Sequence, residues 1–107
     1  MDLHEQIREL REKTTRTRSQ FLRAELQTCS MALEMVRYQL AIGNLEIAAR
    51  ELDCVALGIK TIERFLPETS KELRSEVEAK LMVLRALLKP LQIELEAATV
   101  GRESRTS

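Results

Sequence analysis

Residues 33–52 read LEMVRYQLAIGNLEIAAREL. Leu33, Val36 and Leu40 recur at steps of three and four, the spacing that places side chains on one stripe of an α-helix. After Gly43-Asn44 the same spacing resumes with Leu45, Ala48 and Leu52. Glycine reaches the left-handed conformation that ends a helix, and asparagine is a favoured first cap of the next. So short a link makes the two helices an antiparallel hairpin.

Both stripes extend outward from the turn. The first is Leu22, Leu26, Cys29, Leu33, Val36 and Leu40. The second is Leu45, Ala48, Leu52, Val55, Ile59, Ile62 and Leu66. A third run, Leu73, Val77, Leu81, Leu84, Leu88, Leu91 and Leu95, follows Pro67 with the same alternation of steps. No segment alternates with the two-residue period of a strand. The expected architecture is all-α, an antiparallel three-helix bundle with an additional short N-terminal helix. Leu22, Leu26, Leu33, Val36 and Leu40 pack against Leu52, Val55, Ile59 and Ile62, and Leu81, Leu84, Leu88 and Leu91 close the core.

The punctuation sets the boundaries. Residues 1–18 form a charged helical or flexible segment. The bundle spans residues 19–98, with helices at about 19–42, 44–66 and 69–98, and residues 99–107 form a loose polar tail. Asp2 with Glu5, and Thr69 with Glu72, have the spacing of capping boxes. The run Thr14-Thr15-Arg16-Thr17-Arg18-Ser19 has modest helix propensity, which favours a break near Lys13 over one helix from residue 2 to 42. Pro90 lies inside the third helix and removes one backbone donor there.

Composition narrows the function classes. The 107 residues are 44% apolar and 32% charged, with 17 basic and 17 acidic side chains, so the net charge is zero. A chain of this length buries a core without disulfides or metals. Balanced charge argues against a dedicated binder of nucleic acid or anionic membranes. No run approaches the roughly 20 apolar residues of a membrane span. The charged start, Met1-Asp2-Leu3-His4-Glu5, lacks the apolar region of a secretory signal, which points to the cytoplasm. Cys29 and Cys54 fall about three residues out of register across the hairpin, so they are expected as buried, reduced thiols.

No reaction chemistry stands out. There is no nucleophile elbow, no phosphate-binding glycine loop and no Glu-x-x-His pair. His4 is the only histidine. The chain is expected to be no enzyme and to need no cofactor or metal. Carboxylate chemistry inside the bundle would require Glu25, Glu34 or Glu94 in a closed pocket.

Two helices carry a second apolar stripe. In the first it is Ala24, Thr28, Met31, Met35, Tyr38 and Ile42. In the third it is Ala79, Val83, Ala86, Pro90, Ile93 and Ala97, helped by Leu87. An offset of two residues is about 200° of helix, so these stripes lie nearly opposite the first ones. Three coverings are open: the N-terminal segment folded back through Leu3, Ile7 and Leu10, a second copy of the chain, or a foreign helical peptide. The leading expectation is a protein–protein interaction module, self-associating or binding a helical partner through Met31, Met35, Tyr38, Ile42, Val83 and Leu87. The alternative is a nucleic-acid-associated accessory protein using Arg11, Arg16, Arg18 and Arg23.

Gly43-Asn44-Leu45-Glu46-Ile47-Ala48-Ala49 resembles the turn of a tetratricopeptide repeat, where small residues let two helices pack closely. The resemblance covers one hairpin. Val36 stands where that repeat has a small residue, the proline after the second helix comes about a heptad late, and no second copy follows. A three-helix module of this kind is also similar in layout to microtubule-interacting-and-trafficking domains. Both resemblances imply protein or peptide binding by analogy of fold.

Overall fold

A backbone with three long amphipathic runs and two short interruptions satisfies its hydrogen bonds as helices. The computed structural model describes residues 2–106. It contains α1 (Leu3–Ala41), α2 (Leu45–Phe65) and α3 (Lys71–Thr106), with a short 3-10 turn at Leu66–Glu68. The described residues contain no strand.

α1 begins where expected: the Asp2 carboxylate accepts the Glu5 N–H at 2.8 Å, satisfying one of the donors a helix start leaves free. It does not break near Lys13. The Thr14, Thr15, Thr17 and Ser19 hydroxyls each donate to the carbonyl four residues back, at 2.8, 2.9, 2.9 and 3.0 Å. These side chains can compete with the backbone and unwind a helix. Here they are satisfied without leaving it, so the extra N-terminal helix and α1 are one.

The first turn is a glycine-ended stop. Gly43 has φ of +79°. Its N–H bonds to Leu40 O at 3.1 Å, and that of Asn44 bonds to Gln39 O at 2.8 Å, the paired bonds of a Schellman motif. Asn44 occupies the first cap of α2, but its side chain makes no capping bond; its contribution is the backbone. At the second turn the cap is one residue later than Thr69. The Thr69 hydroxyl donates to Leu66 O at 2.6 Å and closes the 3-10 turn. Ser70 then accepts the Leu73 N–H at 3.2 Å.

The three stripes become one core. Leu22, Val36, Ala48, Val55, Ile62, Val77 and Leu81 are completely enclosed, and Leu26, Leu33, Leu52, Ile59, Leu84 and Leu91 nearly so. Leu40, Leu66, Leu88 and Leu95 pack at its edge. Cys29 is buried but Cys54 is exposed, and both are free thiols. Gly58 is buried against α1, and a Cβ there would lie 2.5 Å from Cys29 Sγ. α3 runs through Pro90 and past Ala98, so residues 99–106, expected as a loose tail, are helical. The Thr99 hydroxyl donates to Leu95 O at 2.8 Å, and Arg102 reaches Glu46 at 3.7 Å. Ser107 lies outside the described residues.

Ion pairs record how the helices lie. Arg85 pairs with Glu63 and Arg102 with Glu46, across α2 and α3. Arg23 pairs with Glu76 across α1 and α3. The molecule measures 72 × 21 × 18 Å, with a radius of gyration of 18.8 Å, against about 13 Å for a compact domain of this length. Residues 3–17 of α1, exposed throughout, form an arm beyond the core and contribute to this elongation.

Candidate functional site

With the core stripe of α1 turned inward, its second stripe has only solvent to face. Met31 is 65% exposed and Tyr38 60%; Met35 and Ile42 are exposed as well. The arm cannot fold back over them, because it continues the same rigid helix in the opposite direction. This removes the N-terminal segment as their cover. On α3, Val83 (58% exposed), Leu87 and Ile93 are likewise open.

The structure divides the expected partner-binding residues into two places. Val83 and Leu87 line a groove of about 760 Å³ between α1 and α3. Its α1 wall sets the polar row Gln27, Ser30, Glu34 and Arg37 beside Arg23, Leu26 and Leu33. Met31, Met35, Tyr38 and Ile42 are absent from that wall and belong to the outer face of α1. The polar wall escapes sequence reading because that reading follows apolar residues. Its signal is the same step pattern displaced by one residue, about 100° around the helix. A second apolar recess, about 600 Å³, is bounded by Leu10, Lys13, Thr14, Thr17, Arg18, Phe21 and Phe65. Phe21 meets Phe65 edge-to-face at 5.9 Å.

The four arginines of the nucleic-acid alternative are not equivalent. Arg18 donates to Glu68 O at 3.1 Å and pairs with its carboxylate at 3.6 Å. Arg23 holds Glu76 through two hydrogen bonds, at 3.4 and 3.1 Å. Arg11 and Arg16 stand on the exposed arm. Two of the four thus already face carboxylates.

Glu76 also receives Lys80 at 3.5 Å. The hydrogen bond from Arg23 is the main reason its carboxyl titrates below the ordinary range. A depressed folded-state pKa stabilises above the unfolded value, and that contribution is lost as pH falls through the folded value. Glu76→Gln is therefore expected to flatten the acid side of the stability curve and leave neutral-pH slopes unchanged. Denaturant midpoints taken from neutral to acid pH check this; an acid limb parallel to the wild type would refute it.

No charged side chain is buried among the described residues. Glu34 and Glu94 are exposed and Glu25 is half-buried, so none occupies a closed pocket. Burial, followed by the nearby Glu25 charge, pushes the Cys29 thiol up, away from the thiolate a nucleophile needs. The described residues include no group of three or more His, Cys, Asp or Glu side chains placed to hold a metal. No helix among them is long and apolar enough to cross a membrane. No protein-family model matches the chain, and no curated protein or solved structure matches it.

Proposed function

We propose that this chain is a non-enzymatic helical protein–protein interaction module that self-associates through the outer apolar faces of α1 and α3. The observation that carries this is the exposed row Met31, Met35, Tyr38 and Ile42 with its counterpart on α3. Large contiguous apolar surface is costly to leave in water and commonly marks an interaction site. Methionine adds adaptability to such a surface. The pairings Glu63–Arg85 and Glu46–Arg102 support an antiparallel three-helix bundle as the scaffold, because one position rises as the other falls.

Light scattering coupled to size exclusion, over a concentration series, tests the reading. A dimer of twice the 12.3 kDa chain mass is the expected result. A monomer at every concentration would overturn it. The groove between α1 and α3 favours one second reading, a foreign amphipathic helix lying beside Val83 and Leu87.

A further inference from the structure

The outer stripe of α1 is longer than its methionine-rich half. Continued toward the N-terminus at alternating steps of three and four, it runs Leu3, Ile7, Leu10, Thr14, Thr17, Phe21, Ala24, Thr28, Met31, Met35, Tyr38, Ile42. No step is broken, and every one of these residues is exposed. The 39-residue α1 is about 58 Å long at 1.5 Å per residue, and one heptad seam follows its whole length. Thr14 and Thr17 do not spoil the seam. Their hydroxyls are bonded to Leu10 O and Lys13 O, so neither needs water.

We propose that this seam is a coiled-coil interface whose occupant is α1 of a second copy of this chain, running antiparallel in full overlap. The proposal rests on the self-association proposed above, narrows its surface to the outer face of α1 without the α3 face, and gives it a register. The residues flanking the seam carry the argument. One flank holds Arg18 and Glu25, and the other holds Lys13 and Glu34. In full antiparallel overlap, seam layers join positions whose numbers add to 45, and flanking pairs add to 43 or 47. Arg18 then faces Glu25 of the second copy, Lys13 faces Glu34 of the second copy, and two-fold symmetry repeats each pair. No flanking pair joins like charges. Arg18, which reaches Glu68 within its own chain, gains a second carboxylate. A parallel in-register pairing instead sets Lys13 against Arg18 of the other copy.

Side-chain volume favours the same arrangement. The antiparallel layers match large with small at Phe21 with Ala24 and Met31 with Thr14. The parallel layers would put Phe21 on Phe21 and Ala24 on Ala24. Met31 and Met35 of the second copy come opposite Thr14 and Leu10, on the recess that Leu10, Thr14, Thr17 and Phe21 border. Each arm then lies along the core-bearing half of the other copy's α1.

Crosslinking tests the register. Thr14→Cys and Met31→Cys are made separately in a Cys54→Ser background, since Cys54 is the exposed thiol, and joined with a short bismaleimide. Antiparallel overlap predicts crosslinked dimer only when the two variants are mixed. Identical positions would stand about 25 Å apart along the seam. Crosslinking of each variant with itself would show a parallel pair and overturn the proposal. A dimer by mass that crosslinks in neither mixture would overturn the α1 seam while leaving self-association intact. A monomer at every concentration would overturn both. Charge exchange supplies a second arm: Lys13→Glu is expected to weaken dimerisation about tenfold, and adding Glu34→Lys to restore it. Failure of the double variant to recover would refute the register.

Discussion

Leu52→Ala is expected to lower the free energy of unfolding by about 2–5 kcal/mol, through lost transfer energy and the cavity left behind. Leu52 is 4% exposed and belongs to the single core that all three helices share. A small domain has a total stability of only about 5–15 kcal/mol, so the loss would lower Tm by about 8 °C or more. Leu57 provides the control. It lies on the same helix, is equally apolar and is exposed, and Leu57→Ala is expected to stay within about 0.5 kcal/mol of wild type. Denaturant titrations of both variants decide the matter. Equal midpoints would mean that the core face of α2 is wrongly placed.

Gly58→Val is expected to cost about 3 kcal/mol, the upper part of the range for overpacking a core. The position has ordinary helical backbone, so conformational freedom is not why glycine is there. The reason is space: the first carbon of any side chain would lie 2.5 Å from Cys29 Sγ. Gly58→Ala is the subtler case. Helix propensity favours alanine by about 1 kcal/mol, which offsets part of the clash. Cys29→Ala in that background removes the obstructing sulfur, so the pair is expected to be more stable than the sum of the single changes predicts. A Gly58→Val midpoint within error of wild type, or strictly additive single changes, would show that the close approach of α1 and α2 is not needed.

The fold was readable because its evidence is periodic. Three runs with alternating steps named the buried residues, and Gly43 named the first turn with its stop geometry. Departures came where local chemistry rather than period decides. Thr14 and Thr17 suggest a break when judged by propensity alone, because their hydroxyl bonds to the carbonyls four back are invisible in composition. The period itself passes through both without interruption and argues for a continuous helix. Thr69 and Ser70 are equally good caps by residue type. The 3-10 turn that contains Pro67 engages the first and leaves the second for α3. Cys54 lies off the stripe set by Leu52 and Val55, and following that stripe places it outside the core, where hairpin register alone did not.

The proposed interaction surface was half readable. A second row of apolar residues on α1 and α3 is a pattern, but whether anything in the same chain covers it depends on where the arm points. One continuous helix settles that for the arm. The division between the groove and the outer face of α1 follows from a one-residue difference in position, which pattern reading blurs. Arg18 and Arg23 read as free basic residues in the sequence, and Glu68 and Glu76, some fifty positions away, are what change that.

α1 is a ruler marked on two edges. From Leu22 to Leu40 one edge fits the chain's own core, while the other carries the row that begins in the arm. Inserting or deleting one residue turns everything on one side of the change by about 100° relative to the other. Within residues 22–36 such a change would misalign both edges together. Within the arm it would leave the core untouched and carry Leu3, Ile7 and Leu10 off the line of Met31 and Met35. Whole heptads keep both edges within about 20° of their line, so the length of this helix can drift by such steps and not by single residues.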